Sequence, residues 1–290
     1  MGTVAVGLVL ISAVMHATWN VLAKRSADPL AFLFAIGSSG LVIYGAPVAY
    51  LLARDGFPER AIPFILASGT LEMAYTLFLA AAYRHGALSL TYPVARGTGV
   101  VLVPLLAIPF LGEQPTVVAA FGIATILAGF VTISVLGARA RVAEEIAHGR
   151  RGLVFALLTG LTIATYSLID KAGVQHAHPL VYVYCLIGMQ SLLLLPYIVA
   201  RKRPAVAAAW RIAPGAVLAG GVLNIGTYLI VLAAMKVSGS QVGYIVPLRE
   251  TSIVFATLLG VLILKERIGR VRIAGSAMIA AGVLAIALGG

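Results

Sequence analysis

Residues 90–106 read LTYPVARGTGVVLVPLL, and residues 243–259 read GYIVPLRETSIVFATLL. In each, an apolar run suited to a bilayer is interrupted by an arginine, Arg96 in the first and Arg249 in the second. An arginine near the bilayer centre costs about 2.5–3.5 kcal/mol on insertion scales. Two of them at matching places are expected to face a shared polar interior rather than lipid. The two stretches predict a helical membrane protein built twice over, with a charged centre.

Composition agrees. The 290 residues are 61% hydrophobic and only 11% charged, against about 25% charged in a soluble domain. The net charge of +11 would suggest nucleic acid in a soluble chain. Between apolar runs it reads instead as cytoplasmic Lys and Arg, and no nucleic-acid partner is expected. The single cysteine, Cys185, rules out an intrachain disulfide or a cysteine-based metal site. The first apolar run has no basic segment before it and is followed by Lys24 and Arg25, so it reads as a span and not a cleaved signal.

Stretches long enough to cross about 30 Å of hydrocarbon fall at 3–23, 30–52, 62–83, 87–110, 115–136, 152–172, 179–199, 211–235, 239–264 and 270–289. They lack period-two alternation, which favours helices over a barrel. The expected fold is an all-α membrane protein of ten transmembrane helices, with the lipid bilayer as its solvent. Residues 1–136 form one five-span unit, 137–151 a cytoplasmic linker, and 152–290 a second unit. Arg54, Arg60, Lys171 and Lys236 fall on the side of the termini. With Arg96 and Arg249 inside the membrane, 15 of the 21 lysines and arginines are left for the other side. The positive-inside rule then places that side in the cytoplasm and both termini outside a plasma (inner) membrane.

The halves repeat. ATWNVLAK at 17–24 recurs as ATYSLIDK at 164–171. At an offset of 153, Tyr75 falls on Tyr228, Arg96 on Arg249, Glu113 on Glu266, Gly122 on Gly275 and Gly129 on Gly282. Five spans per copy turn the second copy upside down, the inverted-repeat plan of many secondary transporters, whose substrate sites lie near the midplane. The ten spans, the five-span duplication and the turns LeuGlyGlu at 111–113 and LeuLysGlu at 264–266 resemble the EamA family of the drug/metabolite transporter superfamily. The resemblance implies ten helices around a central cavity, with amino-acid and metabolite exporters as familiar members.

Several polar side chains fall within spans. Arg96 and Arg249 suit bidentate recognition of a carboxylate or phosphate; the alternative is structural pairing with Glu72 and Glu250. Glu72 shares a helix face with Tyr75 and reads as a proton-carrying or ammonium-binding carboxylate, or as the partner of Arg96. Glu250 follows Arg249 directly, so on a helix the two point about 100° apart and do not readily pair with each other. His16 is a further proton-coupling candidate, since imidazole titrates near neutrality, or a packing histidine. Trp19, Tyr166, Tyr75 and Tyr228 can line a cavity or simply pack. Tyr92, one turn before Arg96, and Asn224 are weaker candidates. Lys24 and Lys171 read as snorkelling to headgroups, and Glu113 and Glu266 as residues that fix their turns. Pro93, Pro104 and Pro247 stand near the arginines and are expected to kink their helices. Small residues at 119–129 and 274–282 favour close helix approach, within one chain or in a homodimer.

These residues favour a secondary transporter of a small polar metabolite, an amino-acid-like zwitterion or a carboxylate or phosphate anion, with protons as candidate coupling ion. A flippase for a lipid-linked phosphate headgroup is the alternative, and an exporter of aromatic or cationic compounds a third reading. No GxxxxGK[ST] loop, HExxH or nucleophile motif is present, so neither ATP, a metal, another cofactor nor enzymatic catalysis is expected.

Overall fold

The computed structural model describes residues 3–24, 26–85, 88–135, 150–237, 239–252, 254–255 and 270–289, not all with side chains. Every regular element among them is a helix. In the first half these are α1 (Thr3–Lys24), α2 (Pro29–Asp55), α3 (Ile62–His85), α4 (Leu88–Leu111) and α5 (Val117–Val135). In the second half they are α6 (Arg150–Gly173), α7 (Pro179–Arg201), α8 (Arg203–Ile212), α9 (Pro214–Lys236), α10 (Val242–Arg249) and α11 (Arg270–Gly289). Among the described residues, six helices are long and apolar enough to cross a membrane, and Thr3–Trp19, Val117–Thr132 and Ile273–Gly289 are shorter apolar segments.

Local chemistry sets the helix ends. Asp28 caps α2, its carboxylate accepting from the Ala31 N–H at 3.1 Å, with Pro29 in the first turn where no N–H is needed. His178 and Pro179 open α7 in the same way, the imidazole accepting from Leu180 N–H at 3.2 Å. After α4 the chain turns through Gly112 at φ 66°, a conformation that penalises any Cβ.

Two expected spans differ from the sequence reading. The stretch 211–235 is not one segment. Arg211 and Ile212 end a separate helix, Arg203–Ile212 (α8), with no buried residue and packed beside α2, and the span itself is one helix that starts at Pro214 and runs to Lys236. The stretch 239–264 is broken where it carries its charges: α10 ends at Arg249, and Glu250 and Thr251 form a turn. Pro247 removes an N–H within α10, and the Glu250 N–H bonds Pro247 O and that of Thr251 bonds Leu248 O, tightening the chain to three-residue spacing. In α4, by contrast, helix continues through Arg96 and Pro104. Residues 136–149, which hold most of the expected linker, and 256–269, which hold Glu266 and its turn, lie outside the described residues.

Packing crosses between the halves. α1 packs on α9 and α10, and α6 packs on α3 and α4. α2 meets α7 and α9, and α7 meets α2 and α3. α4 meets α10, and α5 meets α11 in the most extensive contact of all. The small residues of 119–129 and 274–282 serve this last contact within the chain. A Cβ on Gly122 would stand 2.8 Å from Gly282 O, and one on Gly129 would stand 2.6 Å from Gly275 O. The backbones touch because glycine lets them, as in small-residue membrane interfaces. Apolar side chains such as Val42, Phe110, Val117 and Leu288 stay exposed on the outside, as a lipid-facing surface requires.

Candidate functional site

α4 carries Arg96, the turn after α10 carries Glu250, and the crossing of α4 with α10 brings them together. Arg96 Nη2 lies 2.5 Å from Glu250 Oε1, and the two side chains are 11% and 3% exposed. Of the two glutamates weighed as structural partners of the arginines, it is Glu250 that pairs with Arg96, so the ion pair joins the two halves. Glu250 keeps a helical backbone, and the packing of α4 against the end of α10 brings it to Arg96. Arg249 takes other neighbours. Its guanidinium lies over the Tyr228 ring at 5.4 Å, a cation–π contact, and its Nη2 is 3.5 Å from His16 Nδ1. Arginine has no acceptor, so a hydrogen bond between the two runs from the guanidinium to His16 Nδ1. Among the described residues Arg249 forms no ion pair, and its buried Nε has no hydrogen bond.

Both arginines line one small cavity of about 10 Å³, together with Glu250, Tyr166 and Ser167. That is about the volume needed for a single water. Tyr75 meets Tyr166 edge to face at 6.2 Å, and Trp19 meets His16 edge to face at 4.9 Å. Tyr166, Tyr228 and His16 thus adjoin the arginines, with Tyr75 and Trp19 packed against Tyr166 and His16. Glu72, on α3, is half-buried; its main-chain carbonyl accepts from Thr76 and Gln190, while its carboxylate has no hydrogen bond or ion pair among the described residues. Asn224 is half-buried on α9 and makes no side-chain hydrogen bond there. The side chain of Tyr92 lies outside the described residues.

Sequence reasoning missed Asp170. It is fully buried and accepts two tyrosine hydroxyls, Tyr182 at 2.8 Å on Oδ1 and Tyr228 on Oδ2. Tyr228 thus joins Arg249, over its ring, to Asp170, through its hydroxyl. An aspartate in an apolar run, where the first half has Ala23, was the available signal.

A second polar region lies where the turn after α4, the end of α6 and the chain between α9 and α10 converge. It is a vestibule of about 660 Å³ lined by Glu113, Lys171, Gln175 and Gln241, among others. Lys171 does not extend toward headgroups as expected: its Nζ donates to Met235 O at 2.6 Å and Ser240 O at 2.7 Å, capping the carbonyl end of α9. Glu113 does not secure its own turn alone. Its carboxylate accepts from Val242 N–H at 2.6 Å and Gly243 N–H at 2.9 Å, the first turn of α10 in the other half. Burial pushes the Glu113 carboxyl up, against the pull of those two donors. The side chain of Lys24, the counterpart of Lys171, lies outside the described residues.

Apolar helices around a buried charged centre define a multi-pass membrane protein. Residues 150–288 match the model of the EamA-like transporter family, a match consistent with the drug/metabolite transporter superfamily that suggests a membrane transporter of that type. A solved structure, described only as the crystal structure of a protein, aligns over 98% of this chain and 97% of its own, with TM-score 0.76 and 20% identity. That similarity carries the fold alone. No curated protein matches the sequence.

Proposed function

We propose that this chain is a secondary transporter that moves a small polar metabolite with an acidic group by alternating access, and that Arg249 holds that group. The observation that carries the reading is the meeting of Arg96 and Arg249, from matching places in the two halves, at one buried cavity. Arg96 is already engaged with Glu250, whereas Arg249 has no carboxylate partner among the described residues. A planar guanidinium on an aromatic shelf suits a carboxylate or phosphate. An amino-acid-like zwitterion fits best, since Glu72 offers its amine a carboxylate in the same centre.

The reading includes ten helices in two inverted five-helix repeats, residues 1–136 and 152–290 joined by 137–151, with both termini outside the plasma membrane. Its support is the exchange pattern of the main packing: α1 on α9 answers α6 on α3, α1 on α10 answers α6 on α4, and α2 on α9 answers α7 on α3. The cavity between the arginines is too small for a metabolite, so loading requires the halves to separate on one face. Uptake by proteoliposomes tests the assignment, with radiolabelled amino acids, phosphorylated metabolites and organic cations as probes. Wild type transports an acidic or zwitterionic probe and folded Arg249→Gln does not. Transport confined to cations, undiminished in Arg249→Gln, refutes it.

A further inference from the structure

The buried centre has an uneven charge count. The crossings of α3 with α6 and of α4 with the end of α10 carry two guanidiniums, Arg96 and Arg249, and three carboxyls, Glu72, Asp170 and Glu250. Arg96 and Glu250 neutralise each other at 2.5 Å. Arg249 is left opposite two acids that differ in their surroundings. Both oxygens of Asp170 accept a tyrosine hydroxyl, from Tyr182 on α7 and Tyr228 on α9. Two O–H donors on one carboxyl favour its anion, because hydrogen bonds to the charged form stabilise that form. The Glu72 carboxylate has no such donors among the described residues, and it lies within the electrostatic reach of Asp170 from α6 and Arg249 from α10.

We propose that Asp170 is a fixed, ionised counter-charge and that the resting centre therefore carries one proton, on Glu72. Among the described residues, the other charged or titratable groups facing this pair are already engaged. Arg96 and Glu250 are paired across α4 and the turn after α10. Tyr182 and Tyr228 already donate to Asp170, and Tyr75 and Tyr166 pack edge to face. His16 on α1 meets Arg249 through its Nδ1. Resting on the transport reading above, the site has a direct consequence: a substrate ammonium that reaches Glu72 displaces its proton one for one. The carboxyl O–H bond breaks, the proton leaves to water on the open side, and the ammonium takes over the charge. Asp170 is thus a positioning residue for the proton, and Glu72 the residue that holds it.

Infrared spectroscopy of the purified full-length protein in lipid vesicles tests this without any substrate. Wild type at neutral pH shows a protonated-carboxyl band that shifts in deuterated buffer. Glu72→Gln removes the band. Asp170→Asn equalises the charges and also removes it at that pH, while Asp170→Glu retains it. Asp170→Ser makes the same charge change with a smaller side chain, should Asp170→Asn not fold. No band in wild type, a band that survives in Glu72→Gln, or one undiminished in folded Asp170→Asn or Asp170→Ser overturns the proposal. Because the band is read with no transport, a failed uptake experiment and a failed proton assignment are separate results.

Discussion

Arg96 and Glu250 stand 154 residues apart in the chain and 2.5 Å apart in space, one from each half. Removing one partner of a buried pair strands the other charge, which costs about 3–5 kcal/mol. Arg96→Gln and Glu250→Gln are each expected to lower the unfolding midpoint strongly. The double variant should recover much of the loss, because no lone charge remains. Additive losses in thermal or denaturant unfolding would mean that the pair is not coupled.

Tyr228 separates into two functions by substitution. Tyr228→Phe keeps the ring beneath Arg249 and deletes the hydroxyl on Asp170, leaving a fully buried carboxylate with one donor fewer. The expected loss is about 1–3 kcal/mol of stability. Tyr228→Leu deletes both contacts and should lose about 1 kcal/mol more through the cation–π term. Equal stability of the two variants would show that Arg249 gains nothing from the ring.

Glu113 and Asp28 give opposite responses to pH. Lowered below its ordinary value, Asp28 feels burial, which alone would raise it, outweighed by Lys202 at 2.6 Å and the Ala31 N–H. Its ionised form is favoured by folding, so its contribution is present at neutral pH and lost as pH falls through the folded value. For so exposed a pair this is worth about 1 kcal/mol or less. Glu113 is raised by burial, so protonation favours the folded state and stability rises as pH falls through its folded value. Stability-versus-pH curves of Asp28→Asn and Glu113→Gln, each subtracted from wild type, should therefore slope in opposite directions. Slopes of the same sign would contradict the assignment.

Lys171→Met should release the carbonyl end of α9, and with it the loop that starts α10. The expected readout is faster amide exchange across 235–243, with stability lower by about 1–3 kcal/mol for the lost charged hydrogen bonds. Unchanged exchange there would assign Lys171 a role outside this cap.

Gly282→Ala places a methyl against the backbone of α5, since a Cβ there would be 2.5 Å from Gly122 O. The two helices must spread, at a cost of about 1–3 kcal/mol. Ala285→Gly, on the same helix, adds no atoms and should not produce this spreading. A neutral Gly282→Ala would show that the helix pair is loosely held.

Spans and the two arginines were legible because hydropathy and insertion cost act along the chain, residue by residue. What each arginine touches was not. Glu250 reached Arg96 because α4 packs against the end of α10, a contact between the halves that no single span announces. Asp170 was hidden because it directly precedes Lys171 near the end of an apolar run, where both read as flanking charges. Only the approach of α7 and α9, with Tyr182 and Tyr228, turns that position into part of the centre. The small residues at 119–129 and 274–282 announced a close contact but not its partner. Likewise, 203–212 carried enough apolar residues to blur the start of the eighth span, and only Pro214 marks where the new helix begins.

The glycine contact between α5 and α11 limits how the halves can move. Where main chains touch through reciprocal Gly–carbonyl approaches, sliding by even a fraction of a helical turn drives a Cβ into a backbone oxygen. On the alternating-access reading, that seam would serve as an axle. Rotation about it costs little at the seam itself and produces displacement that grows with distance, so a rigid edge on one side of the bundle becomes the mechanical requirement for a mobile centre on the other.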